Sequence, residues 1–376
     1  LSHKLHIVSF NVPFPADYGG IIDVYYRIKA LHKLGVEIHL HTFTYGRPAA
    51  PELDALCSSV TYYRRRTGLP SALTKRPYIV ESRDSKELIA NLSKDNAPIL
   101  LEGLHCCSVL EVIDGSRIMV RAHNVEHEYY SRLADATSSL FRRIYLRSDA
   151  RKLERYEPLL TKAAAVFAVT EADAAHFRSI GCKNVLLMPT SHADDEVVST
   201  PSQPLPSDGV YALYHADLSV PENIEAVTYL ADNIFSKCKH RFVVAGRNPS
   251  KALSDKLSQL PNVTIKPNPD NETMQRLIAQ AQVLIMVTQM PTGLKLKLLN
   301  SLYAGRHCLV NSAMVAGTEL GKLCTVADNA DSQLQALHSL MDAPFTQQDI
   351  DRRRQLLGSL YSNEANARIL ISQLAD

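Results

Sequence analysis

The sequence predicts an α/β protein of two doubly wound halves, and three observations carry that prediction. Short apolar runs alternate with helical stretches along nearly the whole chain, the pattern of parallel strands joined by crossover helices. The alternation breaks once near the middle, where residues 189–195 and 200–209 hold prolines and polar residues without periodicity. A length of 376 residues also exceeds one comfortable core.

Taken in order, Leu5–Phe10 reads as a buried first strand, residues 11–20 as a loop ending in Gly19-Gly20, and Ile21–Leu34 as a helix. A turn at Gly35 and a strand to Phe43 complete a right-handed βαβ unit. Strands follow at Ser59–Tyr63, Pro98–Leu101 and Arg117–Val120. Residues Ser139–Leu160 read as one long helix on which Arg142, Arg143, Arg147, Arg151, Lys152 and Arg155 alternate with Leu and Tyr. Two readings stay open for it: the outer face of a domain, or contact with an anionic membrane surface. Strands Ala163–Thr170 and Val185–Met188, with helix Glu171–Ile180 between them, end the first half.

The second half repeats the scheme. Strands are expected at Val210–Tyr214, Arg241–Ala245, Val263–Lys266 and Val283–Val287, with helices Asn223–Phe235, Lys251–Leu260 and Glu272–Ala281 between them. Strand Cys308–Val310, a last strand near Leu323–Val326, a helix at Asp331–Met341 and two helices over 347–375 broken near Ser362-Asn363 complete the chain.

Composition narrows the function class. With 45% hydrophobic and 21% charged residues, the chain is of ordinary globular type. Net charge is +2, and basic patterning is too sparse for nucleic acid. The excess is uneven, +5 over residues 1–190 and −3 beyond, which suits an anionic surface or acceptor at the first half. Seven cysteines, an odd number without zinc spacing, fit a reducing cytoplasmic compartment. The first apolar stretch is too short for a secretory signal, and there is no transmembrane run.

The segment with most chemistry is Pro291–Gly305, between the apolar runs Val283–Val287 and Cys308–Val310. It reads as strand, glycine turn, helix, strand. A turn of this kind presents free N–H groups at a helix start, where a phosphate is favoured. Lys295 and Lys297 in the first turn oppose the helix dipole, and a bound anion would offset that conflict.

Strand, Gly-x-Lys-x-Lys-x-x-(acid or amide), then Ala-Gly resembles the donor-phosphate helix of GT-B glycosyltransferases of family 4. In that family a glutamate at the end of the pattern holds the ribose hydroxyls, and another lies eight residues earlier. This chain has Asn300 and Thr292 there. Asn300 can still hydrogen-bond a diol, whereas Thr292 supplies no charge. Arg121-Ala-His-Asn-Val-Glu126 resembles the family's Arg-x-His-Asn-x-Glu segment, which makes His123 the candidate active-site residue of the first half. Its implied role is hydrogen bonding to the donor sugar or polarising the reacting centre. Gly19-Gly20 resembles the glycine pair that faces the donor phosphates; Asp17 and Asp23 beside it could equally cap the helix. Residues 214–226 resemble the Phe-x-Gly-x-x-x-x-x-Pro-x-Asn segment, with His215 in place of the glycine, and Val244–Pro249 resembles a Val-x-Gly-x-x-Pro turn where Arg247 could meet phosphate.

The resemblance implies two Rossmann-like domains facing across a cleft, with a first domain over 1–195 on the acceptor side, a nucleotide-sugar domain over 205–345, and C-terminal helices over 346–376 of which the last returns to the first domain. It implies transfer of a sugar from a nucleoside diphosphate to a glycan or lipid-linked acceptor, with retention of configuration. The leaving phosphate would accept the acceptor's proton, and no cofactor or metal would be required. His123 and His127, four apart, are an alternative metal pair if both lie on one helix. A transferase-like binding or partner subunit without catalysis, and a sugar-nucleotide epimerase, are the competing readings.

Overall fold

The computed structural model describes residues 3–17, 19–68, 71, 74–137, 139–193, 197, 209–291 and 293–374. The chain divides into two compact units, Leu1–His192 with Leu360–Asp376, and Ala193–Ser359.

The first unit holds a seven-stranded, wholly parallel sheet: β1 Lys4–Ser9, β2 Glu37–Thr44, β3 Ser59–Arg64, β4 Ile99–Glu102, β5 Ile118–Ala122, β6 Ala165–Ala168 and β7 Val185–Leu187, in the order β3-β2-β1-β4-β5-β6-β7. The central strands are apolar without alternation because helices cover both faces; every residue of β4, β5 and β6 is buried. The strand order reverses between β1 and β4, and the crevice outside the carboxyl ends there is where this architecture binds ligands. Four helices matter below: α1 Gly19–Lys33, α2 Glu126–Ala136, α3 Leu140–Tyr156 and α4 Glu171–Ser179.

The long helix expected over 139–160 ends at Tyr156 and gives way to a 3-10 turn over Glu157–Lys162. Pro158 explains the change, since it has no N–H for an α-helical bond and crowds the preceding turn. Helix Asn363–Ile371 packs on α1, and Ala367, Leu370 and Leu374 enter the first unit's core. The proline-rich stretch does not begin as free linker. Ser191 N donates to the buried Asp23 Oδ1 at 2.6 Å, and Asn363 Nδ2 donates to His192 O at 2.8 Å. Residues 194–196 and 198–208 lie outside the described residues.

The second unit has six parallel strands: β8 Tyr211–Asp217, β9 Arg241–Arg247, β10 Val263–Pro267, β11 Val283–Met286, β12 His307–Val310 and β13 Thr325–Val326, ordered β10-β9-β8-β11-β12-β13. Its core includes Phe235 stacked on Phe242 at 3.8 Å between ring centres. Helices α5 Pro221–Asn233 and α6 Leu296–Ala304 follow β8 and β11, the strands at its own reversal of order. Both sheets thus match the expected fold class. Among the described residues no helix is long and apolar enough to cross a membrane.

Candidate functional site

Each unit gathers polar groups at the carboxyl ends of its central strands. In the first unit, β4 ends in Glu102, β5 leads into His123, and α1 brings Asp23 and Arg27 one turn apart. Glu102, Arg121, Asp23 and Arg27 are all buried. Burial of such charges is expensive unless each is paired. Here each is: Arg27 Nη2 contacts Asp23 Oδ2 and its Nε lies 3.1 Å from Glu102 Oε1, while Arg121 Nε donates to Asp23 Oδ2 at 3.0 Å. Burial alone would raise the Asp23 carboxyl, but the Arg121 and Arg27 guanidiniums outweigh it and hold the group well below the usual carboxylate range.

His123 sits between the two acids, with Nε2 3.1 Å from Glu102 Oε2 and Nδ1 3.4 Å from Asp23 Oδ2. Both ring nitrogens therefore face protein carboxylates, and what the side chain offers solvent is its remaining edge, one tenth of its surface. Phe10 packs edge-on to His123 at 5.5 Å and tilted on His105 at 5.0 Å. A Cβ on Gly20 would come within 2.9 Å of Phe10 Cζ, so any larger residue there makes the Phe10 ring shift, while a Cβ on Gly19 would meet nothing within 4 Å. Gly103 is the other constrained position: φ is +78°, and a Cβ would lie 2.7 Å from His105 Nδ1 and 3.4 Å from His123 Cδ2.

Asp23 is no helix cap, since it lies in the second turn of α1 and faces inward. Asp17 pairs with Arg47 at 2.8 Å. His123 precedes α2, which starts at Glu126, so His123 and His127 do not share a helix face and the paired-histidine metal reading fails. Glu126 is buried, and burial pushes its carboxyl up to about 7.

In the second unit, Gly293 has φ +67° and Lys295 is the N-cap of α6, with no side chain capping the helix among the described residues. Lys297 Nζ donates to Asn223 Oδ1 at 3.0 Å, lies 3.5 Å from Tyr214 OH and sits 5.2 Å from the Tyr214 ring centre. Both of these partners are neutral, and burial lowers the ammonium to about 8 even though Glu222 opposes the shift. Lys295 Nζ lies 3.8 Å from Glu222 Oε1, which also accepts from Thr288 Oγ1. Further along α6, Asn300 Oδ1 is buried without a hydrogen-bond partner among the described residues. That is a costly state for an amide oxygen.

The other second-unit candidates divide. His215 is buried, with Nε2 2.9 Å from Ser301 Oγ, and Ser301 Oγ donates to Lys297 O at 2.8 Å. Burial and then the Lys297 charge lower this imidazole to about 4, so at neutral pH it is an uncharged brace beneath α6. Arg247 ends β9 and is exposed, with Asp217 among the charges near it. Thr292 lies outside the described residues. The structure thus brings Lys295, Lys297 and Asn300 onto one short helix with His215 behind it, and adds Asn223, Tyr214 and Glu222, which the sequence reading left unassigned. It likewise surrounds His123 with Glu102, Asp23 and Arg27.

No protein-family model matches this chain. An uncharacterized 44.6 kDa protein in the cps region of Klebsiella pneumoniae is 30% identical over 152 residues, a match spanning 38% of this chain and only 39% of that relative. Solved structures align along almost the full length. Sucrose-phosphate synthase from Thermosynechococcus elongatus aligns over 99% of this chain and 98% of its own at a TM-score of 0.70 and 15% identity. The lipopolysaccharide outer core galactosyltransferase WaaB covers 99% of each chain at 0.64 and 10%. WaaG, a glycosyltransferase involved in lipopolysaccharide biosynthesis, covers 97% of this chain and 99% of its own at 0.62 and 14%. At these identities the likeness speaks for architecture, and with the two parallel sheets it shows that the chain has the GT-B fold.

Proposed function

We propose that the chain is a glycosyltransferase that takes a sugar from a nucleoside-diphosphate donor, with retention of configuration, and passes it to a glycan or lipid-linked acceptor. The observation that carries this reading is Lys297, a desolvated cation held by the neutral Asn223 and Tyr214 at an uncapped helix start. A diphosphate leaving group develops negative charge, and a preorganised cation beside free helix amides is the arrangement that stabilises it. Asn300, one turn on, supplies an acceptor for a ribose-type hydroxyl. No carboxylate base is needed if the leaving phosphate takes the acceptor's proton. In the first unit, His123 is held by Glu102 and Asp23, which supports a fixed sugar-facing edge rather than proton shuttling.

Helix α3 supports a membrane-surface acceptor. Phe141 is 87% exposed, and Leu140, Ile144 and Tyr145 beside it are exposed too, interleaved with the exposed Arg142 and Arg147. Such a mixture suits the interface of an anionic bilayer.

The direct test is a thermal-shift series with UDP, GDP, ADP and their sugar conjugates, with and without EDTA. A ligand that binds the folded state raises the melting temperature with occupancy. One nucleotide series should stabilise the chain equally with and without EDTA, and Lys297→Ala should abolish the effect. No shift from any nucleotide at millimolar concentration would overturn the donor site and favour a non-catalytic subunit.

A further inference from the structure

A second cluster in the first unit has no part in the function above. His127 lies in the first turn of α2, Glu157 opens the 3-10 turn after α3, and His176 lies in the last turn of α4. His176 Nε2 is 2.6 Å from Glu157 Oε2, His127 Nδ1 is 3.3 Å from the same oxygen, and the two imidazole rings are 5.3 Å apart, tilted by 47°. We propose that His127, Glu157 and His176 form a binding site for a divalent transition-metal ion of the zinc class.

Donor chemistry is the first argument. Two imidazoles and one carboxylate, leaving a position for water, are a ligand set that zinc accepts. Geometry is the second. One donor atom from each residue lies within 4.8 Å of the others. A tetrahedral ion with bonds of about 2.0–2.1 Å needs its ligand atoms about 3.3 Å apart, so closure asks for side-chain adjustment rather than backbone movement.

The third argument is electrostatic. Glu157 retains 3% of its side-chain exposure, and its ion-pair contacts among the described residues are the two histidines. His127 Nδ1 is buried and faces the same Glu157 oxygen as His176. The other trio of suitable residues, Asp23, Glu102 and His123, differs on this point, because Arg27 and Arg121 already neutralise its acids. An ion there would meet two guanidiniums. At His127 and His176 the side chains are 19% and 23% exposed, which gives an ion a way in.

A bound ion would tie the start of α2 to α4 through the turn between α3 and β6. Because α2 begins three residues after His123, the ion would fix the segment that carries that histidine. The role is one of positioning, and it does not depend on the glycosyltransferase reading.

The test uses the chelator-stripped, full chain titrated with Co2+, read by the visible absorption of tetrahedral cobalt, followed by competition with Zn2+. The expected result is a one-to-one complex that Zn2+ displaces, with a rise in melting temperature on Zn2+ addition. His176→Gln and the double variant His127→Ala/His176→Ala should weaken binding by at least about a hundredfold. Both leave Glu157 in place, and far-UV circular dichroism checks that they stay folded. The exposed His240–His338 pair, 2.8 Å apart, is the competing surface site, so His338→Ala serves as the control and should bind as the parent does. Absence of the cobalt band, its survival in the double variant, or its loss in His338→Ala would each overturn the proposal.

Discussion

The two units place charge at the ends of their central strands in opposite ways. Around His123 the first unit balances its own account: Asp23 and Glu102 face Arg27 and Arg121, and all four are buried. Around Lys297 the second unit does not. Lys297 is held by the neutral Asn223 and Tyr214, and among the described residues Asn300 Oδ1 has no hydrogen-bond partner. A self-neutralised cluster is stiff and has little electrostatic reason to recruit a ligand. A desolvated ammonium held by neutral groups gains from an anion. The fold is repeated, but the charge pairing at the strand ends differs between the two halves.

The largest effect should come from breaking the balance. Arg27→Met leaves Glu102 and Asp23 short of a countercharge and should cost about 3–5 kcal/mol in urea unfolding; a loss below about 1 kcal/mol would show the first cluster to be far looser than its distances indicate. Lys297→Ala should lower transfer by roughly 100- to 1,000-fold while leaving the melting temperature of the unliganded chain nearly unchanged. The same lysine sets a pH signature. Its free ammonium titrates near 8, so nucleoside-diphosphate affinity should fall as pH rises through about 8, and Lys297→Arg should flatten that fall.

Glu126 sharpens the contrast, as a buried acid in the first unit whose desolvation outweighs the nearby Asn124 and Arg83. Its carboxyl is raised from 4.5 to about 7, so its stabilising contribution is complete below about 4.5 and is lost as pH rises through about 7. Glu126→Gln mimics the neutral form and should gain on the parent by roughly 3 kcal/mol between those limits, measured by urea titration at several pH values. The smallest effect is steric. Gly20→Ala should push Phe10 against His105 and His123, costing about 1–3 kcal/mol and lowering kcat more than donor affinity. A variant that lost only donor affinity would instead support Gly20 in phosphate contact.

Much of the fold was legible because parallel strands covered on both faces leave plain apolar runs, and the helix carrying Lys297 stands between two of them. The partners of the site were not. Asp23 and Arg27 are four apart, a spacing that ordinarily marks a solvated pair on a helix surface, yet here both point inward. Glu102 adjoins the apolar run Pro98–Leu101, where an acid reads as the end of a strand rather than a buried ligand of His123. Asn223 stood inside a recognised segment, but its bond to Lys297 spans 74 residues and no local rule reveals it. His127 and His176 meet only because two helices bring them to Glu157.

The first unit's dependence on Asn363–Ile371 bears on how the protein is made. Ala367, Leu370 and Leu374 complete a core whose other members are synthesised before the second unit begins, and Asn363 is hydrogen-bonded with His192. On the ribosome the second unit can close as a continuous stretch, whereas the first must wait for residues that emerge after all of it. Until then, the apolar surface of α1 that this helix covers stays open to chaperones and to aggregation, so the half translated first is the half that finishes folding last.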